Sequence, residues 1–398
     1  MPYLQAAARL GVDVLVASTS EHSLTSAVAE GLRIDLHDED AALALIENAA
    51  ARRPFHGVIP TDDAAVTLTA RVARRLDLAH NPPRASLLTR RKDLARARLA
   101  EAGLPVPGHR LLDLSRPLPP QLDGIAWPCV AKPVALSGSR GVIRADDAGQ
   151  LLAACARIRA ILADQPDPEV RRRVLVEDYL PGAEVALEGM LHDGELEVLA
   201  LFDKPEPLEG PYFEESYYVT PSRLDAASQA LVARRTAEAC AAYGLRHGPV
   251  HAELRLHAGE AWIIEIAART IGGQCARLLR HGSGHGLEEL VIAQAVGRPL
   301  PPRPSAEAAG VLMIPIPRAG CLRRIEGLGA ARRVPLVSEV SIGVRDGYQL
   351  VPLPEGEAYL GFIFAQGPGP AEVEAALREA HACLNIVTAP VFRLEASA

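Results

Sequence analysis

The apolar positions of this chain switch repeatedly between a strand period and a helix period. VDVLVAS (12–18) is a buried-strand run, and Asp40 to Ala51 is a helical stretch. GVIPTDD (57–63) reads as a strand ending in polar residues, and Val66 to Leu76 is helical again. This β/α alternation predicts a small parallel sheet. The chain opens on a helix, PYLQAAARLG, where an α/β domain of this kind would open on a strand; a trimmed domain or an upstream natural start would explain it. AHNPPRAS (79–86), rich in turn-formers, ends the unit.

A strongly periodic helix follows in TRRKDLARARLAEAGLPVP and stops at Gly103 and Pro105. Beyond the Pro-rich SRPLPPQLDG (115–124), WPCVAKPVALSGSRGVIRADD reads as a strand carrying Lys132, a loop with Ser137, Gly138, Ser139 and Gly141, and a returning strand. A helix is expected from about Asp147 to Leu162, then a strand Val174–Glu177 that runs into Asp178, Tyr179 and Leu180. Pro181-Gly182 turns the chain, Glu184 starts a new strand, and Lys204 ends the strand ELEVLALFDK. PYFEESYYVTPS (211–222) reads as a polar-aromatic loop. The last hundred residues read as an α+β lid: two β-rich runs and an amphipathic helix from Ala371 to Leu384.

The stretch from Val250 to Gln274, VHAELRLHAGEAWIIEIAARTIGGQ, reads as a hairpin turning at His257-Ala258-Gly259-Glu260, followed by a glycine-containing loop. Leu254 and Leu256 share one face of the first strand, and Trp262, Ile264 and Ile266 share one face of the second. For both sets to meet on a common face, the loop must hold an odd number of residues. That register places Glu253 and Glu265 together on the other face, near His251 and Arg255, with Arg269 just beyond. Adjacent carboxylates on a β-surface repel unless a cation lies between them. Mg²⁺ suits the position, because it takes carboxylate oxygens and shares its other places with water and phosphates. The alternative is a solvated polar face.

Composition narrows the class of protein. At 398 residues the chain can build two or three domains, and 48% apolar with 23% charged residues is globular. A net charge of −7 without any basic stripe argues against nucleic acid as a partner. No apolar run approaches the ~18 residues of a membrane-spanning helix, and MPYLQAAARLG lacks a signal-peptide core. Six scattered cysteines without a C-x-x-C pair imply a reduced, cytoplasmic protein. HGSGHG (281–286) resembles a metal cluster in composition, but its glycines and missing partner ligands make it a loop.

The cations carry more information than their sum. Of 42 lysines and arginines only Lys92, Lys132 and Lys204 are lysine. A lysine kept in so arginine-biased a chain marks a place where a compact ammonium is wanted, as against phosphate; chance retention is the bland alternative. The glycine–serine loop after Lys132 can present backbone N–H groups to a phosphate chain, although the P-loop spacing is absent. A strand that stops beside an apolar pocket, as at Tyr179 and Leu180, offers backbone groups to the edge of an adenine ring, and Glu184 can accept from ribose hydroxyls. Glu214 or Glu215 could recognise a substrate ammonium, against the alternative of an exposed acidic loop.

Taken together, the helix lysine, the strand lysine with SGSRGV, EDYLPGAE, the third lysine and HAE…EIAARTIGG resemble the ATP-grasp superfamily of carboxylate–amine ligases across residues 90 to 300. The resemblance implies an α/β N-terminal domain (1–90), an ATP-grasp domain (91–302) whose nucleotide-binding subdomain covers about 108–180, and a C-terminal α+β subdomain (303–398). Two β-rich subdomains of such enzymes clamp ATP. By position, Lys92 and Lys132 would contact the α- and β-phosphates, with Ser137, Gly138 and Ser139 as the covering loop. Glu177, Tyr179 and Leu180 would lie at adenine, and Glu184 at the ribose. Lys204 would lie near the γ-phosphate, Glu253 and Glu265 would hold Mg²⁺ (Mn²⁺ being the alternative ion), and Arg269 would steady an acyl phosphate. His251, Glu214, Glu215, Gly272 and Gly273 fall to the substrate side.

One departure stands out. The superfamily often has Asn two residues after the second metal carboxylate, where this chain has Ala267. The E-x-A-x-R version and the C-terminal stretch are similar to the branch of bacterial L-amino-acid ligases, which make dipeptides. The resemblance therefore implies ATP-driven coupling of a small carboxylic acid to an amine, with ADP and phosphate as products, a homodimer being compatible with it. A purine-pathway or bicarbonate-activating ligase, or a non-catalytic ATP-binding protein, are the alternatives.

Overall fold

A computed structural model of the chain describes residues 2–20, 29–279, 285–301 and 307–391. The chain begins with α1 (Pro2–Leu10), the parallel strands β1 (Leu15–Ser18) and β2 (Glu30–Arg33), and the helices α2 (Glu39–Arg52), α3 (Val66–Arg75), α4 (Pro83–Leu88) and α5 (Lys92–Glu101). Next come β3 (His109–Asp113), β4 (Cys129–Pro133), β5 (Ile143–Ala145), α6 (Ala148–Ile161), α7 (Pro168–Arg171) and β6 (Arg173–Asp178). The strands β7 (Ala183–His192), β8 (Glu195–Asp203) and β9 (Tyr217–Thr220) lead to α8 (Ala226–Tyr243). The hairpin β10 (Gly248–His257) and β11 (Glu260–Ala267) follows, then α9 (Ala276–Leu279) and α10 (Leu287–Ala295). The remainder holds β12 (Ala308–Ile314), β13 (Gly320–Glu326), α11 (Leu328–Ala331), β14 (Val337–Ile342), β15 (Gln349–Leu350), β16 (Gly361–Gly367), α12 (Pro370–Ala382) and β17 (Asn385–Ala389).

These elements gather into two units. The first is drawn from Met1–Val106, Val185–Leu201 and Leu224–Ala306. Its sheet runs β11-β10-β7-β8, and its main core joins Leu99 of α5, Leu187 and Leu191 of β7, Val232 and Tyr243 of α8, and Leu254, Ile263 and Ile266 of the hairpin. Helix α8 starts where the Asp225 side chain accepts from the Ser228 N–H and ends at Gly244, whose φ of 81° suits glycine. A second core holds Ile34, Leu43, Ile46, Leu68 and Val72, and a third pairs α1 with α10 through Ala6, Ala7 and Ile292.

The second unit is drawn from Pro107–Glu184, Phe202–Arg223 and Glu307–Ala398. It holds the antiparallel sheet β3-β6-β4-β5, packed by Leu151 and Ile158 of α6 against Leu112, Ala131, Val174 and Val176. Helix α6 begins where Asp147 accepts from the Gln150 N–H. Strands β9-β12-β16-β14 and the smaller set β15-β13-β17 close over a core that includes Val219, Leu312, Ile314, Ile363 and Leu377 of α12. No helix among the described residues is long and apolar enough to cross a membrane.

Two sequence expectations are corrected. Residues 57–63 form no strand: Pro60 lacks a ladder donor, and Asp62 caps a 3-10 turn at Asp63–Ala65 by accepting from the Ala64 N–H. The N-terminal parallel pairing among the described residues is therefore the two strands β1 and β2. The stretch 211–222 is a loop only in its first half, because Tyr217–Thr220 pairs with β12. Aromatic and β-branched side chains explain the preference for a strand there. Of HGSGHG (281–286), residues 281–284 lie outside the described residues.

Candidate active site

In the first unit the candidate residues lie on and around the β10–β11 hairpin, whose register corrects the expected odd loop. His257 pairs with Glu260, so the loop is the two residues Ala258 and Gly259, with φ of 52° and 79°. Both angles are left-handed, as a type I′ turn requires. The pairing then shifts between Glu253 and Leu254, and Ile264 is the extra residue of a β-bulge. Beyond it Glu253 stands opposite Glu265. Val250, Ala252, Leu254, Ala261, Ile263 and Ile266 face the core, whereas Trp262 pairs with Arg255 on the opposite face, away from Leu254. The carboxylates thus share a face because of the bulge rather than an odd turn.

Helix α5 packs its polar stripe against this bulge. Lys92 Nζ lies 3.0 Å from Glu265 Oε2, with side chains 16% and 27% exposed. One turn on, Arg96 donates from Nη1 to the Ile263 carbonyl at 2.7 Å and from Nη2 to the Ile264 carbonyl at 2.8 Å. Lys92 and Arg96 are four residues apart, the spacing that puts side chains on one helix face.

His251, expected on the substrate side, is buried between two carboxylates. Its Nδ1 is 3.1 Å from Glu188 Oε2 and its Nε2 is 3.3 Å from Glu253 Oε1. Burial opposes its protonation, but hydrogen bonds with Glu188 and Glu253 prevail and raise its pKa to about 9. Burial in turn raises the Glu188 carboxyl, which the His251 hydrogen bond partly offsets. The other oxygen of Glu188 accepts from the Ile271 N–H at 3.1 Å, which anchors the loop bearing Gly272 and Gly273. Arg269 forms a bidentate pair with Asp63, 2.7 Å to each carboxylate oxygen, and donates to the Thr270 carbonyl.

The second unit holds the remaining residues. Lys132 of β4 and Glu177 of β6, diagonal across the paired strands, form a buried ion pair. The loop after β4 takes positive φ at Gly138 (60°), Ser139 (54°) and Gly141 (74°). Gly141 has no substitute, because a Cβ there would lie 2.7 Å from Pro133 Cγ. The loop is tied to the segment before β16: the Gly141 N–H donates to the Pro354 carbonyl at 2.9 Å and Arg140 Nε to the Glu355 carbonyl at 3.0 Å. Tyr179 joins Val130, Val142, Leu208 and Phe213 in an apolar cluster, with the Arg144 guanidinium 4.5 Å from its ring centre. Leu180 follows at the end of β6, half-buried.

Lys204 stands at a carboxylate junction. Its Nζ lies 2.9 Å from Glu184 and 2.9 Å from Glu215, and Glu215 also accepts from the Tyr218 hydroxyl at 2.6 Å. Glu215, offered by sequence as an ammonium site, is here a partner of Lys204. Glu214 is half-buried; burial raises its carboxyl pKa, and the Ile316 N–H opposes the rise.

Asp63, Arg96 and Glu188 escaped the sequence reasoning. Arg96 carried a signal in its four-residue spacing from Lys92, and Glu188 in interrupting a strand buried along most of its length. Asp63 carried none, because its partner is 206 residues away.

Two carboxylates in register on one face, with an ammonium beside them, form an oxygen donor set suited to a hard divalent cation. Comparison with known proteins agrees with this architecture. Family models match an ATP-grasp N-terminal domain at residues 4–80, an ATP-grasp domain at 125–277 and an L-amino acid ligase C-terminal domain 2 at 312–389. The solved L-amino acid ligase from Bacillus licheniformis superposes with a TM-score of 0.82 at 28% identity, covering 97% of this chain and 95% of that one. Carnosine synthase 1 of Gallus gallus is 30% identical over 366 residues, 84% of this chain. Dapdiamide A synthase of Enterobacter agglomerans is 32% identical over 218 residues, 54% of this chain. The chain spans 39% and 50% of the lengths of these two relatives. Its N-terminal and central segments thus match domains of the ATP-grasp superfamily.

Proposed function

We propose that this chain is an ATP-dependent carboxylate–amine ligase that forms an amide or peptide bond and releases ADP and phosphate. Its acid substrate is an amino acid or a similar small acid. The observation that carries the reading is the in-register pair Glu253 and Glu265 beside Lys92. The amide-forming relatives support the substrate class.

In the first step a carboxylate oxygen of the acid attacks the γ-phosphorus of ATP, and the bond to the ADP oxygen breaks. In the second, the amine nitrogen attacks the acyl carbon, phosphate leaves, and the nitrogen loses a proton. Glu253 and Glu265 would hold Mg²⁺, which supplies charge neutralisation at the phosphates when bound. Lys132, with Ser137, Gly138 and Ser139, is assigned to the nucleotide phosphates, and Tyr179 and Leu180 to adenine. Lys204, fixed by Glu184 and Glu215, offers a positioned ammonium to developing negative charge. Arg269, aligned by Asp63, is assigned to the acyl phosphate, and Gly272 and Gly273 to the acid. None of the six cysteines forms a disulfide, which supports a reducing, cytoplasmic setting.

The test is product analysis with Mg·ATP and pools of amino acids, small acids and amines. ADP and phosphate formed only with a matching acid and amine are expected. AMP and pyrophosphate would overturn the mechanism.

A further inference from the structure

We infer that Arg96 is a positioning residue for Glu265, acting by gripping the β-bulge that turns this carboxylate toward Glu253. The inference rests on the proposed role of Glu265 as a metal carboxylate. With a two-residue turn and Leu254 opposite Ile263, an unbroken ladder would pair Glu253 with Ile264 and Glu265 with the buried Ala252. A one-residue slip moves a side chain to the other face of a sheet, so Glu265 would point into the core. The extra residue Ile264 prevents this.

A bulge disrupts the ladder locally and leaves the extra residue unpaired. Arg96 donates to two successive carbonyls at the bulge. Its guanidinium is buried, the residue being 3% exposed, and reaches the Ile263 and Ile264 carbonyls at 2.7 and 2.8 Å. The second carbonyl belongs to the peptide bond that leads into Glu265, so the guanidinium fixes the peptide plane from which that side chain departs. Lys92, one turn earlier on the same helix, holds the carboxylate itself. Side chain and backbone of Glu265 are thereby fixed from one face of α5. Two adjacent carbonyls suit the planar fork of arginine, whereas a single lysine ammonium offers no matched pair of donors.

The test uses Mn²⁺ as a magnetic probe, titrated into the full chain saturated with a non-hydrolysable ATP analogue. Wild type, Arg96→Lys, Arg96→Met and Glu265→Gln are compared at a temperature where circular dichroism shows each folded. Both Arg96 variants are expected to weaken Mn²⁺ binding roughly tenfold to a hundredfold, the scale for groups that orient a metal ligand. Nucleotide affinity without metal should stay unchanged. If Arg96→Met does not fold, Arg96→Lys decides. Deleting Ile264 should let Glu265 face Glu253 without a bulge, and Arg96→Lys should then add no further loss. Wild-type Mn²⁺ affinity in folded Arg96→Lys, even with a lowered Tm, would overturn the positioning role. Wild-type affinity in Glu265→Gln would instead overturn the metal assignment on which it rests.

Discussion

The charged groups of the two units are held in different ways. On the hairpin face of the first, the side chains of Lys92, Glu253 and Glu265 are 16%, 15% and 27% exposed. In the second, Lys204 and Glu184 are 2% and 8% exposed, and Lys132 and Glu177 are 8% and 4%. The hairpin carboxylates keep some access to water, which the proposed exchange of an ion would need. The lysines of the second unit are committed to partners in a low-dielectric setting, where removing one partner strands the other's charge. Under the proposed function one region would take up an ion, while the other already holds its lysines against carboxylates. Mutations should therefore separate the two, striking stability as well as turnover in the second unit and turnover alone on the hairpin face of the first.

The largest effect is expected from Lys204→Met, which leaves Glu184 and Glu215 without their shared cation. It should cost about 3–5 kcal/mol of unfolding free energy, the scale for breaking a buried pair, read by urea denaturation. A loss of activity at wild-type stability would erase the contrast between the units. Glu265→Gln should do the reverse, lowering turnover by about a hundredfold or more while the melting temperature holds; ADP release and calorimetry on one preparation check both. Asp63→Asn sharpens the comparison inside the first unit. It should lower kcat about tenfold, the equivalent of ~1.4 kcal/mol, by loosening the Arg269 fork and leaving the KM for ATP unchanged.

The smallest effect is on pH dependence. His251 binds a proton more tightly in the folded chain, with a pKa of about 9, than at its ordinary 6.5. Its contribution to stability is complete below pH 6.5 and is lost as pH rises through about 9. His251→Gln should flatten that part of the stability curve, measured by thermal melts from pH 6 to pH 10.

Much of this was legible because it is local. The spacing of Lys92, Lys132 and Lys204 among strand and helix patterns, and the alternation around Glu253 and Glu265, are short-range signals. The hairpin shows the limit of such signals. Alternation indicates that the carboxylates share a face, yet the cause is a bulge and not an odd loop, and a bulge leaves no trace in hydrophobic periodicity when the inserted residue is itself isoleucine. Trp262 was misplaced for the same reason. Asp63 with Arg269, and Glu188 with His251, are pairings across the tertiary fold that sequence distance conceals. The run 57–63 misled because its apolar residues outweighed Pro60, and 211–222 because its acidic start hid the strand beginning at Tyr217.

The central claim, that an acyl phosphate links ATP to the amide, is tested most directly with an acid labelled by ¹⁸O in its carboxylate. Attack by that oxygen on the γ-phosphorus predicts one ¹⁸O in each phosphate released with the coupled product. Phosphate without label, or label in AMP, would contradict it.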